Sequence, residues 1–256
     1  MIIDKKHKSF VKLISLLFIT LLLIFIFFYP KFDFNKKENL EFLGNLSKEE
    51  TKTLILNNLE EGDIVLGKPT SFNYYHTYYM EKNKERGTSN IFFFIFYYNL
   101  FNNLFIRSMG EDGYWHAYIY VGNNTFNSLF LLGVEEDKIN DILLEGNYLK
   151  ILRVNTTREN KLNAIKNAES HLRQQDIYYS LKNGLIIVFA KSTGLNHIFS
   201  LDKQKLVCSS YIALLYKDIS FNLKKDYIYI TPVDIEDSNI VKTILITKKE
   251  GVYYAK

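Results

Sequence analysis

The stretch His116-Ala-Tyr-Ile-Tyr-Val-Gly-Asn-Asn124 decides the reading of this chain. Ring-bearing side chains (His116, Tyr118, Tyr120) alternate with small or aliphatic ones (Ala117, Ile119, Val121), the period-two signature of a strand. Gly122-Asn123-Asn124 supplies turn residues and Thr125 to Leu132 returns, so the sequence predicts a β-hairpin that Gly133-Val134 ends. Upstream, Glu60-Glu61-Gly62-Asp63 makes a turn and Ile64-Val65-Leu66 a strand. Downstream, Lys150 to Val154 reads as a strand. Arg158 to Gln175 reads as a polar helix with Leu162, Ile165, Ala168 and Leu172 at helical spacing. Leu185 to Ala190 is apolar and fits helix or strand. Cys208 to Tyr216, CSSYIALLY, reads as a buried helix. Tyr227 to Ile230 reads as a short strand, Thr231-Pro-Val-Asp234 as a cap or turn, and Ile244–Thr247 with Val252–Tyr254 as strands closing a sheet. The fold class expected is α+β, an antiparallel sheet packed on helices.

Composition narrows the function classes. Among 256 residues, 47 % are hydrophobic, which excludes wholesale disorder. A net charge of +4 is too small to argue for nucleic acid. A single cysteine excludes an internal disulfide framework and a thiolate-rich zinc site. Gly62 to Pro69, GDIVLGKP, nearly matches the phosphate-binding GxxxxGK[ST], but Pro69 stands where the metal-binding hydroxyl belongs, and Ile64-Val65-Leu66 would be strand rather than a glycine-rich cradle.

Leu13 to Tyr29 is uncharged, is preceded by Lys5, Lys6, Lys8 and Lys12, and lacks small residues for a cleavage site. An uncleaved transmembrane anchor is expected over residues 9–29, after a basic tail at 1–8. A juxtamembrane stalk and short helix should follow at 30–58, the helix opened by Ser47 with Glu50 three positions on. Residues 59–256 would then form one domain, single-pass membrane-held and extracytoplasmic, with the lipid bilayer as a partner. Residues 70–113 look like an aromatic-rich insertion. Within it, 91–106 set Asn99, Asn102 and Asn103 on one helical face, fitting a core helix or a lipid-facing, substrate-capping one.

Five histidines and one cysteine leave a small set to search for chemistry. Cys208 stands where its helix begins, so the helix dipole and free amides favour a thiolate and can stabilise an oxyanion. Small Ser209 and Ser210 leave the sulfur reachable. His7 precedes the anchor, His76 lies in the insertion, His171 is on the polar helix and solvated, and His197 is in a loop-like stretch. His116 opens a strand, so its direction is fixed, as a general base requires. The returning strand offers a third group to orient the imidazole. A two-residue loop at Asn123-Asn124 pairs Tyr120 with Asn127 and puts Asn127 on the face of His116. A three-residue loop at 122–124 pairs Tyr118 with Ser128 and puts Ser128 there. An amide is the better orienter, which favours Asn127, with Ser128 the alternative.

GDIVL, then WHAYIYVGNN, then GV, a helix, CSSYIALLY and TPVDIEDS (Thr231–Ser238) resemble, in that order, the circularly permuted papain-like cysteine hydrolases, relatives of the NlpC superfamily of the YiiX/YaeF amidase type. The resemblance covers about Glu60 to Asn239. It implies Cys208 as nucleophile, His116 as general base and Asn127 as third polar group, without metal or organic cofactor. The third position is often acidic in that family; here it is Asn or Ser. The implied function is a cysteine hydrolase of amide or ester bonds, acting on a cell-wall peptide or on a lipid-linked amide or thioester. A non-catalytic lipid- or peptide-binding module of the same fold is the alternative.

Overall fold

The computed structural model describes residues 40–69, 114, 116–130, 133–143, 147–180, 182–184, 186–187, 201, 203–221, 226–248 and 251–255. Their elements run β1 (Leu40–Gly44), α1 (Lys48–Asn58), β2 (Ile64–Pro69), β3 (His116–Gly122), β4 (Thr125–Phe130), β5 (Gly133–Lys138), α2 (Ile139–Ile142), β6 (Asn147–Val154), α3 (Arg158–Gln174), β7 (Tyr178–Tyr179), β8 (Lys205–Leu206), α4 (Cys208–Leu215), a 3-10 turn (Tyr227–Tyr229), α5 (Pro232–Glu236), β9 (Val241–Lys248) and β10 (Gly251–Ala255). Eight strands form one antiparallel sheet in the order β1-β10-β9-β6-β2-β3-β4-β5, and β7 pairs with β8 in a separate parallel ribbon.

The sheet is covered on both faces, which is why β3 and β4 are buried almost throughout rather than on alternate residues. Ile64, Leu66, Ala117, Ile119, Leu129 and Leu152 pack with Ala164, Ile165 and Ala168 of α3 and with Tyr211, Ile212 and Leu215 of α4. The opposite face, Val65, Tyr118, Tyr120, Phe126, Leu149 and Ile151, packs with Ile55 of α1 and Ile139 and Ile142 of α2. The helix boundaries follow their caps. Glu50 N–H donates to Ser47 Oγ and Ser47 N–H donates to Glu50 Oε2, closing a capping box. Thr157 caps α3, and Thr231 with Asp234 closes a second box before Pro232.

Three expectations are corrected. The α+β class with an antiparallel sheet stands, but the preceding transmembrane helix does not: among the described residues no helix is long and apolar enough to cross a membrane, and residues 9–29 lie outside them. The insertion at 70–113 also lies outside. Part of the expected stalk belongs to the sheet, since Leu40–Gly44 forms the edge strand β1 against β10. Tyr227–Tyr229 is a 3-10 turn that Ile230 ends, not the strand that the sequence predicts over Tyr227 to Ile230. The glycine of the mock phosphate-binding motif, Gly67, lies inside β2 against the Tyr118 ring.

The hairpin carries an irregularity that matters for the site. Gly122 pairs with Thr125, so the turn is the two-residue Asn123-Asn124, both left-handed at φ 51° and 59°. Yet Tyr120 pairs with Phe126, leaving Val121 as an extra residue, a β-bulge that shifts the ladder by one. Gly122 makes this possible at φ 96°, where a Cβ would come 2.7 Å from Glu61 Oε1. Gly122→Ala should destabilise the domain by about 1–2 kcal/mol, read as a lower urea midpoint; an unchanged midpoint would mean that the turn relaxes freely.

Candidate active site

Cys208 is the first residue of α4, and Val207 caps the helix without a side-chain bond. The sulfur therefore sits among unspent first-turn amides. The backbone N–H groups of Ala117, Ser209 and Cys208 itself lie close enough to the sulfur to pull its pKa down. The Ala117 contact is the informative one. That amide is the peptide joining His116 to Ala117, so residues 91 positions apart meet at the start of β3. The helix is held there by its serines: Ser209 Oγ donates to Ile230 O at 2.8 Å, and Ser210 Oγ donates to Ile228 O at 2.8 Å. Both serines are buried, so they anchor α4 to the 3-10 turn rather than opening a path to the sulfur.

The electrostatics differ from the sequence expectation. Cys208 is only 4 % exposed, and burial pushes its thiol up to about 11, against the opposing pull of the three amides. In the resting protein the thiol is protonated at neutral pH. Desolvation outweighs the helix start, a balance that local sequence does not carry.

His116 is buried, its ring edge-on to Tyr118 at 4.5 Å and tilted against Phe130 at 4.6 Å between centroids. The ring thus lies on the face of Tyr118, whereas Ala117 turns to the opposite face, which α3 and α4 cover, so the Cys208 sulfur meets the backbone of His116 and not its ring. The shifted ladder pairs Tyr118 with Ser128 and Ile119 with Asn127. Ser128 accordingly lies on the face of His116, and Asn127 lies on the other face with Ile119. The two-residue loop that favoured Asn127 is present, but the bulge at Val121 reverses its consequence. Asn127 Oδ1 and Ser128 Oγ are both buried and make no hydrogen bond among the described residues.

Tyr179 is a neighbour of the sulfur that sequence reading missed. Burial first, and then the charge of a Cys208 thiolate, push its phenol up, so the hydroxyl lies within electrostatic reach of the sulfur. Pairing of Tyr179 with Leu206, two residues before Cys208, places it there. One tyrosine among nineteen carries no local signal of that role. His171 is not simply solvated: its Nδ1 lies 2.7 Å from Asp176 Oδ1, half-buried beside Tyr211. His7, His76 and His197 lie outside the described residues. A cavity of about 350 Å³ is lined by Glu60, Glu61, Thr156, Arg158 and Lys161, none of them part of the Cys208 arrangement.

No protein-family model matches the chain, and no curated protein matches it.

Proposed function

We propose that this chain is a cysteine hydrolase that cleaves amide or ester bonds, of the amidase or peptidase type. The observation that carries the reading is the approach of the amide joining His116 and Ala117 to the Cys208 sulfur. It sets the one thiol of the chain, at a helix start, against the backbone of the residue that bears the imidazole, while the ring itself lies on the other face of the strand.

The chemistry follows from the protonated resting thiol. As Sγ attacks the substrate carbonyl carbon and the C–S bond forms, His116 takes the thiol proton once its ring has turned from the Tyr118 face toward the sulfur, so charge separates only as the reaction proceeds. The first-turn amides of α4 are the donors nearest the developing oxyanion. His116 then gives its proton to the departing amine or alcohol as the C–N or C–O bond breaks. Water, losing a proton to His116, attacks the acyl-sulfur carbon and releases the acid, and the proton returns to sulfur. Ser128, on the face of His116, is the candidate for orienting the ring.

The test is turnover of p-nitrophenyl esters and fluorogenic peptide amides by the wild type and Cys208→Ala. Hydrolysis by the wild type and its loss in the variant support the reading; equal rates on every substrate overturn it. The buried sulfur favours one second reading, a non-catalytic lipid- or peptide-binding module, which predicts those equal rates. Alkylation adds a pH signature. With the thiol pushed up to about 11, the iodoacetamide rate should rise about tenfold per pH unit through neutrality and stay below that of free cysteine. A plateau from pH 6 to 8 would instead reveal a preformed thiolate–imidazolium pair.

A further inference from the structure

Lys150 is 2 % exposed on β6, an unusual position for a lysine. Its ammonium lies 2.6 Å from Glu236 Oε1 at the end of α5, with side-chain exposures of 3 % for Lys150 and 16 % for Glu236. The ladder fixes where this pair lies. Ala117 pairs with Leu66, and Leu66 pairs with Lys150, so the three share one rung and the helix-covered face. Two strand spacings, about 10 Å, separate Lys150 from the backbone that touches the Cys208 sulfur. The other partner approaches from the same side. Ser209, next to Cys208, donates to Ile230 O, and Thr231 caps the short helix that ends in Glu236. Charge is therefore held on the apolar face about three extended residues from the nucleophile.

Desolvating two charges on such a face is costly, and apolar side chains of similar volume would serve packing as well or better. The more exposed member of the pair is the carboxylate, and the bond to the buried ammonium fixes its orientation. Resting on the hydrolase reading above, we propose that the Lys150–Glu236 pair is a specificity element of the Cys208 site. Glu236 reads a positively charged group on a peptide substrate, two to three residues from the scissile bond, and Lys150 holds Glu236 in place.

The experiment uses fluorogenic peptide amides with lysine, norleucine or glutamate scanned over the three positions on each side of the scissile bond. Norleucine keeps the length of the lysine chain and removes its charge, so the lysine-to-norleucine ratio of kcat/KM isolates charge reading. In the wild type that ratio should reach about tenfold at one position, with glutamate disfavoured there. It should fall to about one in the double variant Lys150→Met, Glu236→Gln, which removes both charges and so avoids stranding either. Glu236→Asp should restore part of it. A wild-type ratio near one at every position overturns the assignment while leaving the hydrolase reading intact, as does a ratio that survives in the double variant. Failure of the wild type to turn over any of the peptides overturns this assignment, and failure on the p-nitrophenyl esters as well sinks the hydrolase reading with it.

Discussion

His116→Ala should lower kcat/KM on any ester or amide that the wild type hydrolyses by about 100- to 10,000-fold, the usual contribution of a positioned general base. The expectation follows from the protonated state of Cys208. A thiol already ionised needs no base to attack, whereas one pushed up to about 11 by burial depends on an acceptor at the moment of reaction. Two companion variants sharpen the result. Ser128→Ala should lower the rate severalfold without lowering Tm, because Ser128 shares the face of His116 and its hydroxyl makes no hydrogen bond among the described residues. Asn127→Leu should leave the rate near that of the wild type, since Asn127 lies away from the His116 ring, with Ile119 on the face that α4 covers. A larger rate loss in Asn127→Leu than in Ser128→Ala would remove Ser128 from the mechanism. A His116→Ala enzyme as fast as the wild type would remove the base.

Arg153→Met should cost about 3–5 kcal/mol of stability, the price of stranding a buried charge. Asp63 is fully buried, and its carboxylate is held by Arg153 Nε at 3.2 Å, Arg153 Nη2 at 3.0 Å and the Glu60 amide at 2.9 Å. The same guanidinium donates to Asn58 O at 2.6 Å, tying the end of α1 to the turn before β2. For a domain of this size the Tm should fall by roughly 6–20 °C. The pH dependence has a definite sign. Burial raises the Asp63 carboxyl above its ordinary value, outweighing the lowering by Arg153 and the Glu60 amide. A raised carboxyl favours the folded state while protonated, below the unfolded value, and that advantage is lost as pH rises through the folded value. Removing Arg153 raises the carboxyl further. The deficit of the variant is therefore largest at neutral pH and shrinks on acidification through the carboxylate range. Thermal melts at pH 7 and pH 4.5 check this; an equal or larger deficit at the lower pH would count against it. Arg153→Met combined with Asp63→Asn should recover most of the loss.

Much of the fold was readable because its signals are local. Ser47 and Glu50 announced α1, the spacing of Leu162, Ile165, Ala168 and Leu172 announced α3, and the pair Asn123-Asn124 announced the turn. Both asparagines tolerate the left-handed backbone the turn requires. Cys208 and His116 were legible for the same reason, as the first residues of a helix and of a strand. The orientation of the third group was not. One extra residue at Val121 moves every side chain beyond it to the other face, and nothing in the alternation of His116 to Val121 tells a bulged ladder from a regular one. β1 was hidden as well, because an edge strand in a polar stretch becomes recognisable only beside its partner β10.

The chain's own order of side chains was enough to establish most element types and caps, and to set Cys208 and His116 at the starts of a helix and a strand, since propensity, periodicity and capping act among neighbours a few positions apart. Three-dimensional packing alone settled the protonation of Cys208, the face of Asn127, and the pairs Arg153–Asp63 and Lys150–Glu236, whose members stand 90 and 86 residues apart. Those properties depend on burial and on charges brought close by folding, and both quantities are sums over the surroundings that no short window of sequence contains.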